Sequence, residues 1–365
     1  MVGEFEAFGS LCFKVWQECS FSQVFLINYC VKNFYLTFLA IVGTVVGSGF
    51  ISGKEIVVFF TRFGFWSFPA IVFTFFLLFF LFKFLLFKGD CCVKKMAKSK
   101  FAFWLNFFLC TIFSSSMIAG TIDMARCYGN CFLIIFMVFL LFLCLKISKR
   151  GIKSLNQLNF VLVPIMCFIL MLGLVLKFKE GGSFQNIGFE MGGLSIVYAL
   201  LYVVLNTANG AVLISSMGSQ LTGKQKTRVA FLSALVLCLI LFLINIVLLL
   251  NPTVLTAEMP LLELFSGAFK QVLSIAIMIG CLTTLFSLVY SCSSSMRGLC
   301  KNEYLIFFVS VGLPFVFSLL GFGFIVSYLY PLASVFGVFL LVDLAFVPLF
   351  KRTDKKIHSA SEDTK

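Results

Sequence analysis

The chain has 365 residues, of which 61% are hydrophobic and only 12% are charged. Soluble globular domains carry about 25% charged residues, so this composition excludes a soluble domain and indicates a polytopic membrane protein. The net charge of +13 comes from 28 Lys and Arg residues against 15 Asp and Glu residues. No basic stripe interleaved with aromatic residues accompanies this charge, which argues against nucleic-acid binding.

Ten apolar windows are long enough for a helix to cross a hydrocarbon core of about 30 Å. We number them spans 1 to 10, and they fall at 34–60, 66–88, 102–125, 129–147, 154–176, 193–217, 228–250, 267–292, 304–322 and 325–350. They divide into a first repeat over 34–176 and a second over 193–350, joined by an extracellular loop over 177–192. Because each half holds five spans, the second half begins on the opposite side of the membrane. The sequence predicts an all-α polytopic membrane protein with ten transmembrane helices in a five-plus-five inverted repeat.

The positions of Lys and Arg residues orient the chain, because these residues concentrate in cytoplasmic loops. With the N-terminus inside, most of them fall on the cytoplasmic side, so both termini are predicted to be cytoplasmic and the protein to lie in the plasma membrane. Residues 1–33 are predicted to be a cytoplasmic extension, since acidic residues interrupt any signal-peptide pattern. Segment 21–35 could lie at the membrane interface as a short amphipathic helix, or translation could start downstream. Residues 351–365 are predicted to be a polar cytoplasmic tail.

The sequence lacks the motifs of catalysis and of metal binding. The sole histidine, His358, lies in the tail, and no HExxH, P-loop or GxSxG motif occurs. Most of the 14 cysteines stand singly inside apolar spans, where cysteine acts as a small hydrophobic residue. We therefore predict that the protein is not an enzyme and has no cofactor or metal site other than the sodium site considered below.

Span 1 contains an unusual polar stretch, GTVVGSGF, at residues 43–50. Its three glycines and two hydroxyl groups predict that the helix unwinds near the membrane midplane. Backbone groups freed in hydrocarbon are costly unless something polar satisfies them, so a break there indicates a cavity or a bound solute. The amide groups at Gly47-Ser48-Gly49 would begin a new helix, where the helix dipole is positive and suits a carboxylate.

Span 6 shows a comparable stretch, YVVLNTANG, from Tyr202 to Gly210. It places two amides, a hydroxyl group and a glycine at the corresponding position of the second half. Two broken helices facing each other favour a solute site at the midplane. The alternative is that two helices are kinked independently and their polar groups pack against neighbouring helices.

The stretch GTVVGSGFISGKEIVVFFTRFG, from Gly43 to Gly64, resembles the signature of the YkvI-type membrane proteins in the amino acid/polyamine/organocation (APC) superfamily. The resemblance implies a LeuT-like fold with helices 1 and 6 broken, and it implies solute transport without naming a substrate. Related amino acid transporters hold the solute carboxylate at the first break and the amino group and side chain at the second. The substrate-binding residues that the resemblance implies are Gly47, Ser48, Gly49, Phe50, Asn206, Thr207, Asn209 and Gly210.

The resemblance also implies a coupling-ion site between spans 1 and 8, where sodium-coupled members of this fold bind a sodium ion. The oxygen ligands would be the carbonyl groups of Gly43, Val46 and Gly280 and the hydroxyl groups of Thr283 and Thr284. Threonine in a membrane helix more often bonds a carbonyl group three or four residues earlier. The sequence therefore does not decide between sodium coupling and proton coupling.

Glu55 in span 1 and Asp343 in span 10 are candidates for proton transfer or gating, because a charged residue inside a span is costly. For Glu55 the alternative is a structural hydrogen bond to the backbone or to another helix. We predict a secondary active transporter that moves a small-molecule solute, such as an amino acid or similar zwitterion, across the lipid bilayer by alternating access. The alternative is a solute-binding sensor of the same fold without net transport, like the membrane subunits of spore germination receptors.

Overall fold

A computed structural model of the chain describes residues 32–126, 128–150, 152–181, 192–297 and 300–346. Within this part the structure is helical and contains no strand. Most of the predicted N-terminal extension, residues 182–191 of the predicted loop and the tail lie outside the described residues. The side chain of Ser48 also lies outside them, so only its backbone is considered below.

The described part forms helices α1 to α15 with three tighter or wider helical segments between them. In chain order they are α1 (Lys32–Val45), α2 (Ser48–Ile51), α3 (Lys54–Phe59), a 3-10 helix (Thr61–Trp66), α4 (Ser67–Lys88), α5 (Asp90–Lys98), α6 (Lys100–Arg126), α7 (Asn130–Arg150), α8 (Ile152–Glu180), α9 (Gly192–Gly218), α10 (Gly223–Leu249), a 3-10 helix (Pro252–Val254), α11 (Pro260–Glu263), α12 (Gly267–Met296), α13 (Glu303–Ser318), α14 (Phe322–Phe324), a π-helix (Ile325–Leu329) and α15 (Tyr330–Ala345). Seven stretches are long and apolar enough to cross a membrane, and three shorter apolar stretches are Lys32–Val45, Asn130–Cys144 within α7 and Glu303–Ser318. These ten segments correspond to the ten predicted spans, although α1 covers only the first half of span 1.

Span 1 is broken where the sequence predicts. α1 ends at Val45, two non-helical residues follow, and α2 begins at Ser48. A second interruption, which the sequence analysis missed, separates α2 from α3 at Gly53, whose φ of 81° is a left-handed conformation that favours glycine. The carbonyl group freed at Ser52 accepts a 2.8 Å hydrogen bond from the amide group of Leu261 in α11.

The predicted break in span 6 is wrong, because α9 is continuous from Gly192 to Gly218. The polar residues are accommodated within the helix: the Asn206 side chain donates a 3.1 Å hydrogen bond to the carbonyl oxygen of Tyr202, one turn earlier. This stretch also has one glycine where span 1 has three, so the helical conformation costs less backbone entropy here. Polar side chains alone therefore do not unwind a buried helix.

The helices pack in the pattern expected of two five-helix halves. α6 and α12, which form spans 3 and 8, pack against each other at the centre. α6 also contacts α13 and α15 of the second half, and α12 contacts the corresponding helices α7 and α8 of the first half. Around span 1, α4 packs against α9 and α10. This arrangement encloses the break in span 1 between α6, α9 and α12.

Candidate functional site

The break in span 1 lies in close contact with two neighbouring helices. A methyl group added at Gly47 would lie 3.0 Å from the sulfur atom of Met117 in α6 and 3.0 Å from the hydroxyl oxygen of Thr284 in α12. A larger residue here would require Met117 or Thr284 to move by a few tenths of an ångström. The following residues of α2 include Phe50, which is fully buried in the core. The break is thus held inside the protein, away from lipid.

The carboxyl group of Glu55 lies directly against the start of α2. A methyl group at Gly49 would come within 2.7 Å of Glu55 Oε2. The other oxygen, Glu55 Oε1, accepts a 3.1 Å hydrogen bond from the Asn206 side chain of α9. Because Glu55 is only 3% exposed, its carboxyl group is a buried polar group between spans 1 and 6. The structural alternative considered for Glu55, a bond to another helix, is therefore present at the site itself.

Two further predicted residues on α9 are buried without a hydrogen-bond partner. Asn209 is 3% exposed, and both polar atoms of its side chain lack a partner, as does the hydroxyl group of the fully buried Thr207. Gly210, the last predicted residue, faces span 1: a methyl group there would lie 3.5 Å from Thr44 Cγ2. Residues three and four apart share a helix face, so Asn206, Asn209 and Gly210 lie on one side of α9. Buried amide side chains without a hydrogen-bond partner are rare, so the side chain of Asn209 marks a place where a ligand or water can bind.

A tyrosine that the sequence analysis did not single out covers the same region. Tyr330 is fully buried at the start of α15, and its hydroxyl group is hydrogen-bonded to Ser116 of α6. Its ring stacks on Phe113 with centroids 4.2 Å apart, and it lies 3.6 Å from a methyl group built at Gly49. The π-helix just before Tyr330 sets the position of this ring, and such insertions are frequent at functional sites. Their one-residue register shift leaves no clear pattern in the sequence.

The residues of the predicted ion site come together between α1 and α12. Thr284 Oγ1 donates a 3.0 Å hydrogen bond to the carbonyl oxygen of Gly43, and Thr283 Oγ1 donates one of 3.1 Å to that of Gly280. A methyl group at Gly280 would be 3.4 Å from the carbonyl oxygen of Val46. Thr284 and Gly280 thus lie against the carbonyl groups of Gly43 and Val46 at the break, whereas the hydroxyl group of Thr283 bonds within its own helix. Hard oxygen donors of this kind suit a small cation such as sodium.

Asn159 on α8 borders this ion site and was not anticipated from the sequence. Its side chain is fully buried, and neither its oxygen nor its nitrogen has a hydrogen-bond partner. A methyl group at Gly43 would lie 3.6 Å from the amide nitrogen of Asn159. A buried polar group without a partner costs free energy, so an amide held here is best explained by an ion, water or solute beside it.

Asp343 lies outside this buried cluster. Its Oδ1 atom forms a 2.8 Å ion pair with Lys95 of α5, and the two side chains are about one quarter exposed. The same lysine also donates to the backbone carbonyl group of Asp343, and Lys88 donates to that of Ala345. Asp343 is thus part of a contact between α5 and the end of α15, apart from the break in span 1.

No family model matches the sequence, and no curated protein matches it. Solved structures do match. The structure of MhsT in complex with L-phenylalanine has a TM-score of 0.58 at 15% identity, covering 84% of this chain and 88% of that chain. A mutant of the manganese transporter of Eremococcus coleocola has a TM-score of 0.58 at 13% identity, covering 85% and 78%. The same transporter in complex with an aromatic bis-isothiourea compound has a TM-score of 0.55 at 14% identity, covering 88% and 79%.

These likenesses confirm the predicted fold class. The matched neighbours share the LeuT-like architecture of an all-α polytopic membrane protein, and the match spans most of both chains. At identities of 13 to 15%, these likenesses show the fold of the chain and do not identify a solute. The function has to be argued from the site.

Proposed function

We propose that the protein is a secondary active transporter of a small organic solute, working by alternating access, and that it is not an enzyme. It would lie in the plasma membrane with both termini in the cytoplasm. The single observation that carries this proposal is the break in span 1, which is enclosed by buried polar side chains without partners. We also propose, from the resemblance of its 43–64 stretch, that the chain is one of the YkvI-type proteins.

The solute site that we propose lies between the break and α9. Thr207 and Asn209 supply buried donors and acceptors that no residue of the described part satisfies. Asn206 and Glu55 are adjacent through their hydrogen bond. Polar side chains inside a membrane-spanning helix cost free energy, and those that are present often line a substrate pathway. The sequence-based expectation for the solute is an amino acid or a similar zwitterion.

The cargo of the structural neighbours differs, since one is bound to L-phenylalanine and another is named a manganese transporter. In the described part of this chain, no group of three or more His, Cys, Asp or Glu side chains could hold a metal ion. The proposed site instead offers amide and hydroxyl groups beside one carboxyl group. Such groups suit an organic solute better than a transition metal.

We further propose that sodium drives transport. Its ligands would be the oxygens of Gly43, Val46, Gly280, Thr283 and Thr284. This donor set consists of oxygen alone and lies at the break, so ion binding would fix span 1 relative to α12. The hydrogen bonds from both threonines to carbonyl groups would be replaced by contacts to the ion. The unpartnered amide of Asn159 beside Gly43 supports a polar occupant at this point.

Uptake by purified protein in proteoliposomes tests the proposal. With radiolabelled amino acids and small amines, we expect saturable accumulation that requires an inward sodium gradient and stops when potassium replaces sodium. Accumulation driven only by a proton gradient would refute sodium coupling and leave the proposal of secondary active transport intact. Saturable binding without flux would refute transport and identify a sensor of this fold.

A further inference from the structure

We propose that the solute site recognises a positively charged amino group and disfavours a free carboxylate, with Glu55 as the residue that sets this specificity. The inference rests on the solute site proposed above. It departs from the zwitterion expected from the sequence, because that expectation places a solute carboxylate at Gly47-Ser48-Gly49. In the structure a carboxyl group of the chain itself, that of Glu55, already lies against Gly49.

The geometry leaves no room for a second carboxylate at the start of α2. Glu55 Oε2 lies so close to Gly49 that even a methyl group there would be 2.7 Å away. Glu55 Oε1 is held by the Asn206 side chain at 3.1 Å, so the carboxyl group is anchored on α9. A solute carboxylate at Gly49 would have to displace Glu55 or to lie against it, and like charges in a buried site repel strongly.

The surrounding charges favour a cationic solute. In the described part of the chain, no Lys or Arg side chain forms an ion pair with Glu55. The neighbouring Lys54 donates instead to the backbone carbonyl group of Ala257, at 2.8 Å. A carboxyl group buried away from water either stays protonated or takes a counter-charge, and an ammonium group supplies both that charge and three hydrogen-bond donors.

The other groups at the site also suit an ammonium ion. Tyr330 is fully buried, and its ring lies on the same side of Gly49 as Glu55, since a methyl group built there would be 3.6 Å from the ring. Aromatic faces attract cations and do not attract carboxylates. Asn209 adds an unpartnered amide whose oxygen can accept from the solute. An ammonium group at this place would therefore meet a carboxyl group, an aromatic ring and an amide oxygen.

Ligand-induced thermal stabilisation of the purified full-length protein tests this specificity. The probes are two matched series, each made of an amine, an amino acid and a carboxylate. The first series is phenethylamine, phenylalanine and phenylpropanoate, and the second is butylamine, aminobutyrate and butyrate. We expect at least one amine to stabilise the protein, its amino acid to do so more weakly and its carboxylate not at all. Glu55→Gln keeps an oxygen acceptor for Asn206 and removes the charge. It should lower the apparent affinity for the amine by about tenfold or more, as expected for losing a charge-assisted hydrogen bond.

Glu263→Gln is the matched control, because Glu263 forms an ion pair with Lys270 near α11, outside the site. It should bind the amine like the wild type. The unfolding temperature of each variant without ligand shows whether it is folded. Three results would each overturn the inference: an amino acid or carboxylate that binds as tightly as its amine, amine affinity unchanged in Glu55→Gln, or no amine binding in either series.

Flux measurements separate this inference from the proposed transport. Amine binding that depends on Glu55, without uptake into proteoliposomes, would refute transport and leave the specificity intact. Coupled uptake of a carboxylate solute that is insensitive to Glu55→Gln would refute the specificity and leave transport intact.

Discussion

The hydroxyl group of Thr284 in α12 donates a 3.0 Å hydrogen bond to the carbonyl oxygen of Gly43 in α1. This carbonyl group would ordinarily accept from the amide group of residue 47, one helical turn later. At the break, the Gly47 amide group bonds the carbonyl oxygen of Val45 instead, at 2.9 Å. The break therefore frees the Gly43 carbonyl group, and a side chain of the second half satisfies it.

Thr284→Val should weaken sodium coupling. Valine has nearly the shape of threonine, so the change removes one proposed oxygen ligand and leaves the packing. We expect the sodium concentration for half-maximal uptake to rise by about tenfold or more, equivalent to about 1.4 kcal/mol of binding free energy. Sodium-dependent uptake into proteoliposomes measures it.

The control for this substitution is Thr121→Val. Thr121 is also buried, but its hydroxyl group bonds only the carbonyl oxygen of Met117 one turn earlier in α6. Its loss should leave the sodium dependence unchanged. Equal sodium dependence of the wild type and Thr284→Val would argue against the assigned ion site.

Asn159→Leu should stabilise the protein without ligand and abolish its stabilisation by sodium. The change removes an amide whose two polar atoms lack partners, and each such buried group costs about 1 to 3 kcal/mol. Leucine has the same branched arrangement of four side-chain heavy atoms, so the unfolding temperature in a potassium buffer should rise. The added stability conferred by sodium should disappear, because the polar surface beside Gly43 is lost.

Asn106→Leu, on α6, is the control with the opposite expected effect, because the Asn106 side chain has hydrogen-bond partners. Asn106 is equally buried, but its amide donates to Ser295 at 3.0 Å and its oxygen accepts from Ser291. Replacing it removes both hydrogen bonds to the serines of α12 and should lower the unfolding temperature. If Asn159→Leu lowered the unfolding temperature to the same extent, a polar occupant beside Asn159 in the protein without sodium would be indicated instead.

Gly49→Ala should abolish solute binding, because the added methyl group would lie 2.7 Å from Glu55 Oε2 and force the carboxyl group away from α2. Gly193→Ala is its control, since a methyl group at that position of α9 meets no atom within 4 Å. Both proteins should be recovered from membranes in similar amounts. Thermal shift with the tightest-binding amine measures the difference, and full affinity in Gly49→Ala would contradict the assigned pocket.

The sequence predicted the ten spans and the break in span 1 because both follow from local composition. Apolar length determines the spans, and three glycines within seven residues weaken a helix wherever it lies. The break in span 6 was predicted wrongly because its polar side chains find partners in three dimensions: Asn206 bonds Tyr202 and Glu55. Local composition does not reveal whether such a partner exists.

The same limit explains the residues that the sequence analysis missed. Tyr330 reaches the site through a π-helix, and Asn159 reaches it because α8 packs against α12, which lies beside α1. Neither position shows a pattern along the chain. The contact between Glu55 and Gly49 also spans the second interruption, at Gly53 between α2 and α3. These relationships required the packing of the helices to be known.

Asp343→Asn should leave uptake and its pH dependence nearly unchanged, in contrast to Glu55→Gln. Asp343 pairs with Lys95 at about one quarter exposure, and ion pairs of this kind contribute about 0 to 1 kcal/mol. The lysine also binds the backbone carbonyl group of Asp343, so the contact between α5 and α15 survives the substitution. Lys95→Met removes both bonds and should lower the unfolding temperature more than Asp343→Asn does. Loss of uptake in Asp343→Asn, in a protein with the unfolding temperature of the wild type, would make Asp343 a proton carrier and contradict its structural role.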